Sequence, residues 1–184
     1  MFKKYVFLLF ILSGLLFTGC SDSEKSDAND MISANQYVLT ALDKKEYVVK
    51  KESQGFVLEG AEGKIVIFDI FATWCPPCRA AAPHLSSLME KYKDDLVIIG
   101  ITIEDGIEDA KLQEFAQTYG AKYTLVNSAQ NRTLTTALVK ELELGERFPI
   151  PTMAMYKDGK LINYYVGATE EEFIDSDIRN ALGK

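Results

Sequence analysis

Histidine, tryptophan and cysteine are scarce in this sequence: 184 residues hold one histidine (His84), one tryptophan (Trp74) and three cysteines (Cys20, Cys75 and Cys78). A structural zinc centre takes four Cys or His ligands, so one here would have to use all of these thiols and the imidazole together, and no metal site is expected. The chain also has no glycine-rich phosphate loop, so neither a nucleotide nor another cofactor is expected. Positive charge is in deficit, with 20 Lys and Arg against 27 Asp and Glu, a net of −7 that becomes −9 without Lys3 and Lys4. That balance disfavours nucleic acid and anionic lipid as targets, and the acids are dispersed as on a solvated surface. Neither a repeat nor a second apolar segment argues for more than one domain.

The one long apolar stretch, Tyr5 to Phe17, is broken by Ser13 and Gly14 and falls short of the ~20 residues that span a bilayer. Preceded by Lys3 and Lys4, it reads as the core of a signal peptide. Leu16-Phe17-Thr18-Gly19-Cys20 resembles a bacterial lipobox, with Phe17 where leucine is commoner. The resemblance implies removal of residues 1–19 and lipidation of Cys20; the alternative, plain secretion with cleavage nearby, leaves Cys20 as an odd free thiol. Lipidation settles the cysteine arithmetic of an exported protein, since Cys20 anchors while Cys75 and Cys78 pair. From Cys20 on, Ser21-Asp22-Ser23-Glu24-Lys25-Ser26-Asp27-Ala28-Asn29-Asp30 is too polar to join a core, so 20–35 reads as a lipid-anchored flexible tether. Ser21 after the lipid cysteine favours the outer membrane under a sorting rule that does not hold in every lineage, so the leaflet stays open. Residues 36–184 remain as one domain, and the 165 residues after the leader suffice for a core that buries roughly 70% of the unfolded surface.

Within that domain, Trp74-Cys75-Pro76-Pro77-Cys78 puts two thiols where a strand ends and a helix begins. Lys64-Ile65-Val66-Ile67-Phe68-Asp69-Ile70-Phe71 reads as a buried strand, and Arg79-Ala80-Ala81-Ala82-Pro83-His84-Leu85 opens an amphipathic helix. Only a thiolate attacks a disulfide, and a helix N-terminus stabilises that anion through its free N–H groups and dipole. With Pro76 and Pro77 in the first helical positions, the first N–H groups available to the Cys75 sulfur are those of Cys78 and Arg79. Cys75 is therefore expected to attack and Cys78 to resolve the mixed disulfide. A purely structural bridge is disfavoured, because so short a loop constrains the unfolded chain little.

Phe68-Asp69-Ile70-Phe71-Ala72-Thr73-Trp74-Cys75-Pro76-Pro77-Cys78, with Pro83 in the next helix and Ile150-Pro151-Thr152 downstream, resembles thioredoxin, and specifically the TlpA/ResA-like membrane-tethered thioredoxins. The likeness covers roughly residues 36–184. It implies an α/β thioredoxin fold with a central mixed sheet flanked by helices, an N-terminal β-hairpin and a TlpA-like helix-strand insertion. Asp69 then matches the buried acid that moves protons to and from the resolving cysteine; an acid within so apolar a strand must find a partner or carry a raised pKa. Trp74 matches the indole beside the disulfide. Pro151 matches the cis-proline that shapes the substrate groove, and Ile150 before it is typical of thioredoxin reductants. Two departures stand out: the acid that many cytochrome c maturation members carry three residues after the second cysteine is Ala81 here, while the strand acid those members often lack is present as Asp69.

The remaining elements follow from patterning. Gln36–Leu42 and Tyr47–Lys51 flank Asp43-Lys44-Lys45-Glu46 as a hairpin, and Leu96-Val97-Ile98-Ile99-Gly100-Ile101-Thr102-Ile103 is a second buried strand. Ile107, Leu112, Phe115, Ala116 and Tyr119 predict a helix ending at Gly120, followed by a short strand Tyr123–Val126 and a helix through Leu134 and Leu142. Lys157-Asp158-Gly159-Lys160 predicts a hairpin, and Thr169 with Glu172 a capping box for the last helix. His84, six residues past Cys78, lies nearly two turns from it and reads as a surface or helix-packing residue.

The expected activity is thiol–disulfide exchange in the bacterial envelope, on the thiols and disulfides of other proteins, by a reductant recharged from a membrane electron donor. A disulfide oxidant or isomerase, a cytochrome c maturation thioreductase, and a metal- or partner-binding lipoprotein without catalysis are the alternatives.

Overall fold

A computed structural model describes residues 35–184; the expected leader, the expected lipid-bearing Cys20 and the expected tether up to residue 34 lie outside the described residues. The chain opens with β1 (Gln36–Thr40), β2 (Glu46–Glu52) and β3 (Gly55–Leu58), which pair antiparallel in that order as a small sheet of their own. The expected hairpin is therefore two of three strands. β3 escapes the sequence pattern because four residues are too few to show alternation.

The central sheet is built from β4 (Ile65–Phe71), β5 (Leu96–Thr102), β6 (Thr124–Val126), β7 (Thr152–Lys157) and β8 (Lys160–Val166), in the order β6-β5-β4-β7-β8. β4, β5 and β6 run parallel, whereas β7 is antiparallel to β4 and β8 to β7. Every residue of β4 is buried, as a strand at the centre of a two-sided sheet requires. Its alternate side chains enter opposite layers. Ile65, Ile67 and Phe71 pack under α1 (Pro76–Lys91), α2 (Asp109–Tyr119) and α4 (Glu171–Leu182), while Val66, Phe68 and Ile70 pack against the N-terminal sheet and α3 (Asn131–Glu141). The α2–β6 pair supplies the inserted helix and strand, and α2 ends on Gly120 in the left-handed conformation.

The β7–β8 connection places Asp158 and Gly159 both at positive φ, 48° and 78°, as a two-residue hairpin turn that follows the strand twist requires. The expected capping box on the last helix does not form. Glu170 is the N-cap and makes no side-chain capping bond, while the Thr169 hydroxyl turns back to the Gly167 carbonyl at 3.5 Å. Glu171 and Glu172 in the first turn complement the helix dipole instead. Among the described residues no helix is long and apolar enough to cross a membrane.

Candidate active site

Cys75 and Cys78 are joined as a disulfide, with their Cα atoms 5.3 Å apart, at the start of α1. Cys75 is the N-cap in an extended conformation, Pro76 and Pro77 fill the first two helical positions, and the Cys78 N–H donates to the Cys75 sulfur at 3.3 Å. The prolines thus remove two competing donors and leave Cys78 to provide the contact that would stabilise a Cys75 thiolate. The first turn of α1 carries no acid, so no carboxylate of the helix itself opposes negative charge at its N-terminus.

The loop that presents Cys75 is held from two sides. Glu104, just beyond β5, accepts the Thr73 N–H at 2.6 Å and the Thr73 hydroxyl at 3.0 Å. Arg79 donates to the Thr73 carbonyl at 2.7 Å and lays its guanidinium over the Tyr119 ring at 5.1 Å. Across the groove, Ile150-Pro151 is a cis peptide, and the Ile150 carbonyl oxygen lies 3.7 Å from the Cys75 sulfur. The Pro151 carbonyl accepts the Gly167 N–H at 2.8 Å, which ties this loop to the end of β8. Both cysteines are almost wholly buried, whereas neighbouring Trp74 is 58% exposed.

Asp69 lies in β4 on the face that packs under α1, and is 2% exposed. Its Oδ2 accepts the Tyr123 hydroxyl at 3.0 Å, while Oδ1 has no hydrogen-bond partner among the described residues. Burial pushes its pKa up to about 7, and the Tyr123 hydrogen bond offsets only part of that rise. Such a carboxyl can hold or release a proton near neutrality. His84, in contrast, makes its contact with the last helix. Its Nδ1 is 3.0 Å from Glu171, which also accepts the Ser87 hydroxyl at 2.8 Å, so the imidazole joins α1 to the start of α4.

A family model described as AhpC/TSA family matches residues 38–164. The chain belongs to that family. Its relatives include a thiol-disulfide oxidoreductase ResA of Bacillus thuringiensis (strain Al Hakam), 27% identical over 148 residues, or 74% of this chain and 80% of the relative. A ResA of Bacillus cereus (strain ATCC 10987 / NRS 248) is likewise 27% identical over 180 residues, covering 95% of this chain and 92% of its own length. Among solved structures, the thiol:disulfide interchange protein, a thioredoxin family protein, of Chlorobium tepidum TLS aligns with 81% of this chain and 94% of its own, at a TM-score of 0.64 and 21% identity. The resemblance to the ResA-like group and the thioredoxin fold are thereby borne out.

For this AhpC/TSA family member the structure brings together the residues that the sequence singled out, and adds others. Cys75 meets the Ile150-Pro151 loop at one end of the sheet, Trp74 precedes it in the same loop, and Asp69 shares the layer into which Cys78 is packed. Tyr123, Gly100, Glu104 and the Arg79 side chain are additions to the site, and the Arg79 N–H expected at the Cys75 sulfur donates instead to the Cys75 carbonyl at 3.1 Å. Gly100 carried a signal, since a glycine inside the run Leu96–Ile103 marks a close approach. Among the described residues there is no group of three or more His, Cys, Asp or Glu arranged to hold a metal ion.

Proposed function

We propose that this chain is a thiol–disulfide oxidoreductase of the bacterial cell envelope that reduces disulfides in other proteins, using Cys75 as nucleophile and Cys78 as resolving thiol. The observation that carries the reading is the Cys75–Cys78 pair at the N-cap of α1, with the Cys78 N–H on the Cys75 sulfur and the cis-proline loop against it. Relatives named thiol-disulfide oxidoreductase support it. In the reduced protein the Cys75 thiolate attacks one sulfur of the partner's disulfide and releases the other as a thiolate. Cys78 gives its proton to the Asp69 carboxylate and attacks Cys75; the mixed disulfide breaks, the partner leaves with both sulfurs reduced, and Cys75–Cys78 is left oxidised. Trp74, Ile150 and Pro151 line the approach of the partner chain. A membrane electron donor then returns the pair to the dithiol.

The equilibrium potential of the pair against glutathione is the decisive measurement. A value near thioredoxin's, about −270 mV, is expected for a reductant, and one near about −120 mV would make the protein an oxidant instead. A folded domain that exchanges with no disulfide at neutral pH would overturn the enzymatic reading.

The envelope part of the proposal rests on the lipobox-like Leu16–Cys20 and the polar stretch after it, read as an anchor and a tether of the 36–184 domain. In a bacterial host, wild type is expected in the membrane fraction and Cys20→Ser in the soluble fraction or unprocessed. Equal membrane retention of a processed Cys20→Ser chain would remove the lipid anchor from the proposal.

A further inference from the structure

We infer that Tyr123 is a positioning residue for the dithiol chemistry, its hydroxyl engaging one oxygen of the Asp69 carboxyl and leaving Oδ1 as the oxygen that exchanges a proton with Cys78. The inference deepens the proposed function and rests on the proton role given there to Asp69.

The geometry is built from three strands. Asp69 of β4 stands in register with Gly100 of β5, and Tyr123 immediately precedes β6, which pairs with β5 on its far side. To reach Asp69 the Tyr123 ring must cross β5, and Gly100 is the residue that lets it cross. A Cβ at position 100 would lie 2.9 Å from Tyr123 Cε2 and 2.6 Å from Leu125 Cδ2, closer than side chains pack. The hydroxyl then donates to Oδ2 at 3.0 Å. Burial and the adjacent carboxylate hold the Tyr123 pKa well above its ordinary value, so it remains a donor throughout the working pH range. Asp69 Oδ1 is left with no partner among the described residues. A buried carboxyl oxygen without a partner is costly as structure, and is accounted for if it has a proton to exchange.

Apart from the dithiol, the other titratable groups of this layer are engaged elsewhere. From α1 come Cys75 and Cys78, and Tyr92 at its C-terminal end, whose hydroxyl donates to Asp175 of α4 at 2.7 Å. From β8 comes Tyr165, whose hydroxyl donates to Asp177 of α4 at 2.6 Å. Tyr119, at the end of α2, stacks under Arg79. β5 and β7 set Gly100 and Met153 opposite Asp69, and neither titrates. Tyr123 is thus the hydroxyl that meets Asp69, and the dithiol is the titratable pair that shares its layer.

In the resolving step the proton passes from the Cys78 thiol to Oδ1, the Cys78 sulfur bonds to Cys75, and the partner departs as a thiolate. A Tyr123→Phe variant keeps the ring that fills the space beside Gly100 and removes only the donor. Two readouts follow the consequence: the Asp69 carboxyl carbon titrated by NMR, and the pH profile for release of the second thiolate when reduced protein meets a chromogenic aromatic disulfide. Loss of a hydrogen bond to a charged group is expected to move the carboxyl titration to higher pH by about 1 unit, and the rising limb of the profile with it. That limb reports the Asp69–Cys78 pair rather than either group alone. Asp69→Asn serves as the second arm. If Tyr123→Phe leaves titration and profile in place while Asp69→Asn alters the profile, the inference about Tyr123 is overturned and the role of Asp69 stands. If Asp69→Asn itself matches wild type at every pH, the proton role of Asp69 fails and this inference fails with it.

Discussion

Cys75→Ser is expected to reduce thiol–disulfide exchange by at least about a thousandfold, as removal of a nucleophile does, whereas Cys78→Ser is expected to react once and stop. The asymmetry follows from where the two sulfurs sit on one helix. Cys75 is the cap, its sulfur receives the Cys78 N–H at 3.3 Å, and it faces the cis-proline loop across which a partner would lie. Cys78 is one turn further in and packs against the sheet among apolar side chains. Both sulfurs are buried, so the asymmetry lies in the helix end, whose dipole and Cys78 N–H face the Cys75 sulfur. Serine at position 78 keeps the backbone N–H that contacts Cys75 and removes the atom that would release the partner. Covalent adducts with partner proteins are therefore expected to accumulate with Cys78→Ser and to appear on non-reducing gels after thiol alkylation. Equal trapping by Cys75→Ser would reverse the two roles.

The sequence makes the dithiol legible for a local reason. A fully buried strand, a cap residue, two prolines and a helix are consecutive, so periodicity and capping chemistry suffice to place Cys75 and Cys78. Ile150 lies 75 residues from Cys75 in sequence, with Pro151 next to it, and only the resemblance to thioredoxins links them to it. Tyr123 is 54 residues from Asp69, and no local pattern reveals that its ring crosses β5. From sequence it reads as the first residue of a short apolar strand. Glu104 is similar: it stands after a strand and resembles any solvated acid, yet it fixes the loop before Cys75 through two bonds to Thr73. The capping box failed for another reason. Thr169 and Glu172 have the right spacing, but the helix starts one residue later than that motif requires, with Glu170 at the N-cap, so Thr169 is not placed to accept the N–H that a capping box supplies.

Asp69→Asn is expected to stabilise the fold at neutral and alkaline pH while it slows the resolving step. The carboxyl titrates near pH 7 in the folded protein, against an ordinary value of 3.8, with burial as the main cause. Between those values the folded state holds a proton that the unfolded chain has already released. Stability therefore falls as pH rises through that window, and above it the folded protein carries a buried carboxylate at full cost. At 1.36 kcal/mol per pH unit the span amounts to on the order of 4 kcal/mol, an upper figure for a group that relaxation or water would partly relieve. Asparagine has the same shape, accepts the Tyr123 hydroxyl and cannot ionise, so it escapes the cost. Denaturant unfolding at pH 4 is expected to find the two proteins within about 1 kcal/mol, since both then carry a neutral group. At pH 8 the variant is expected to be more stable by several kcal/mol, while its release of partner thiolate is slower. Such a pairing of gained stability with lost rate is the signature of a residue kept for chemistry rather than for packing. A variant that is less stable at both pH values would make Asp69 a structural acid and remove it from the proton path.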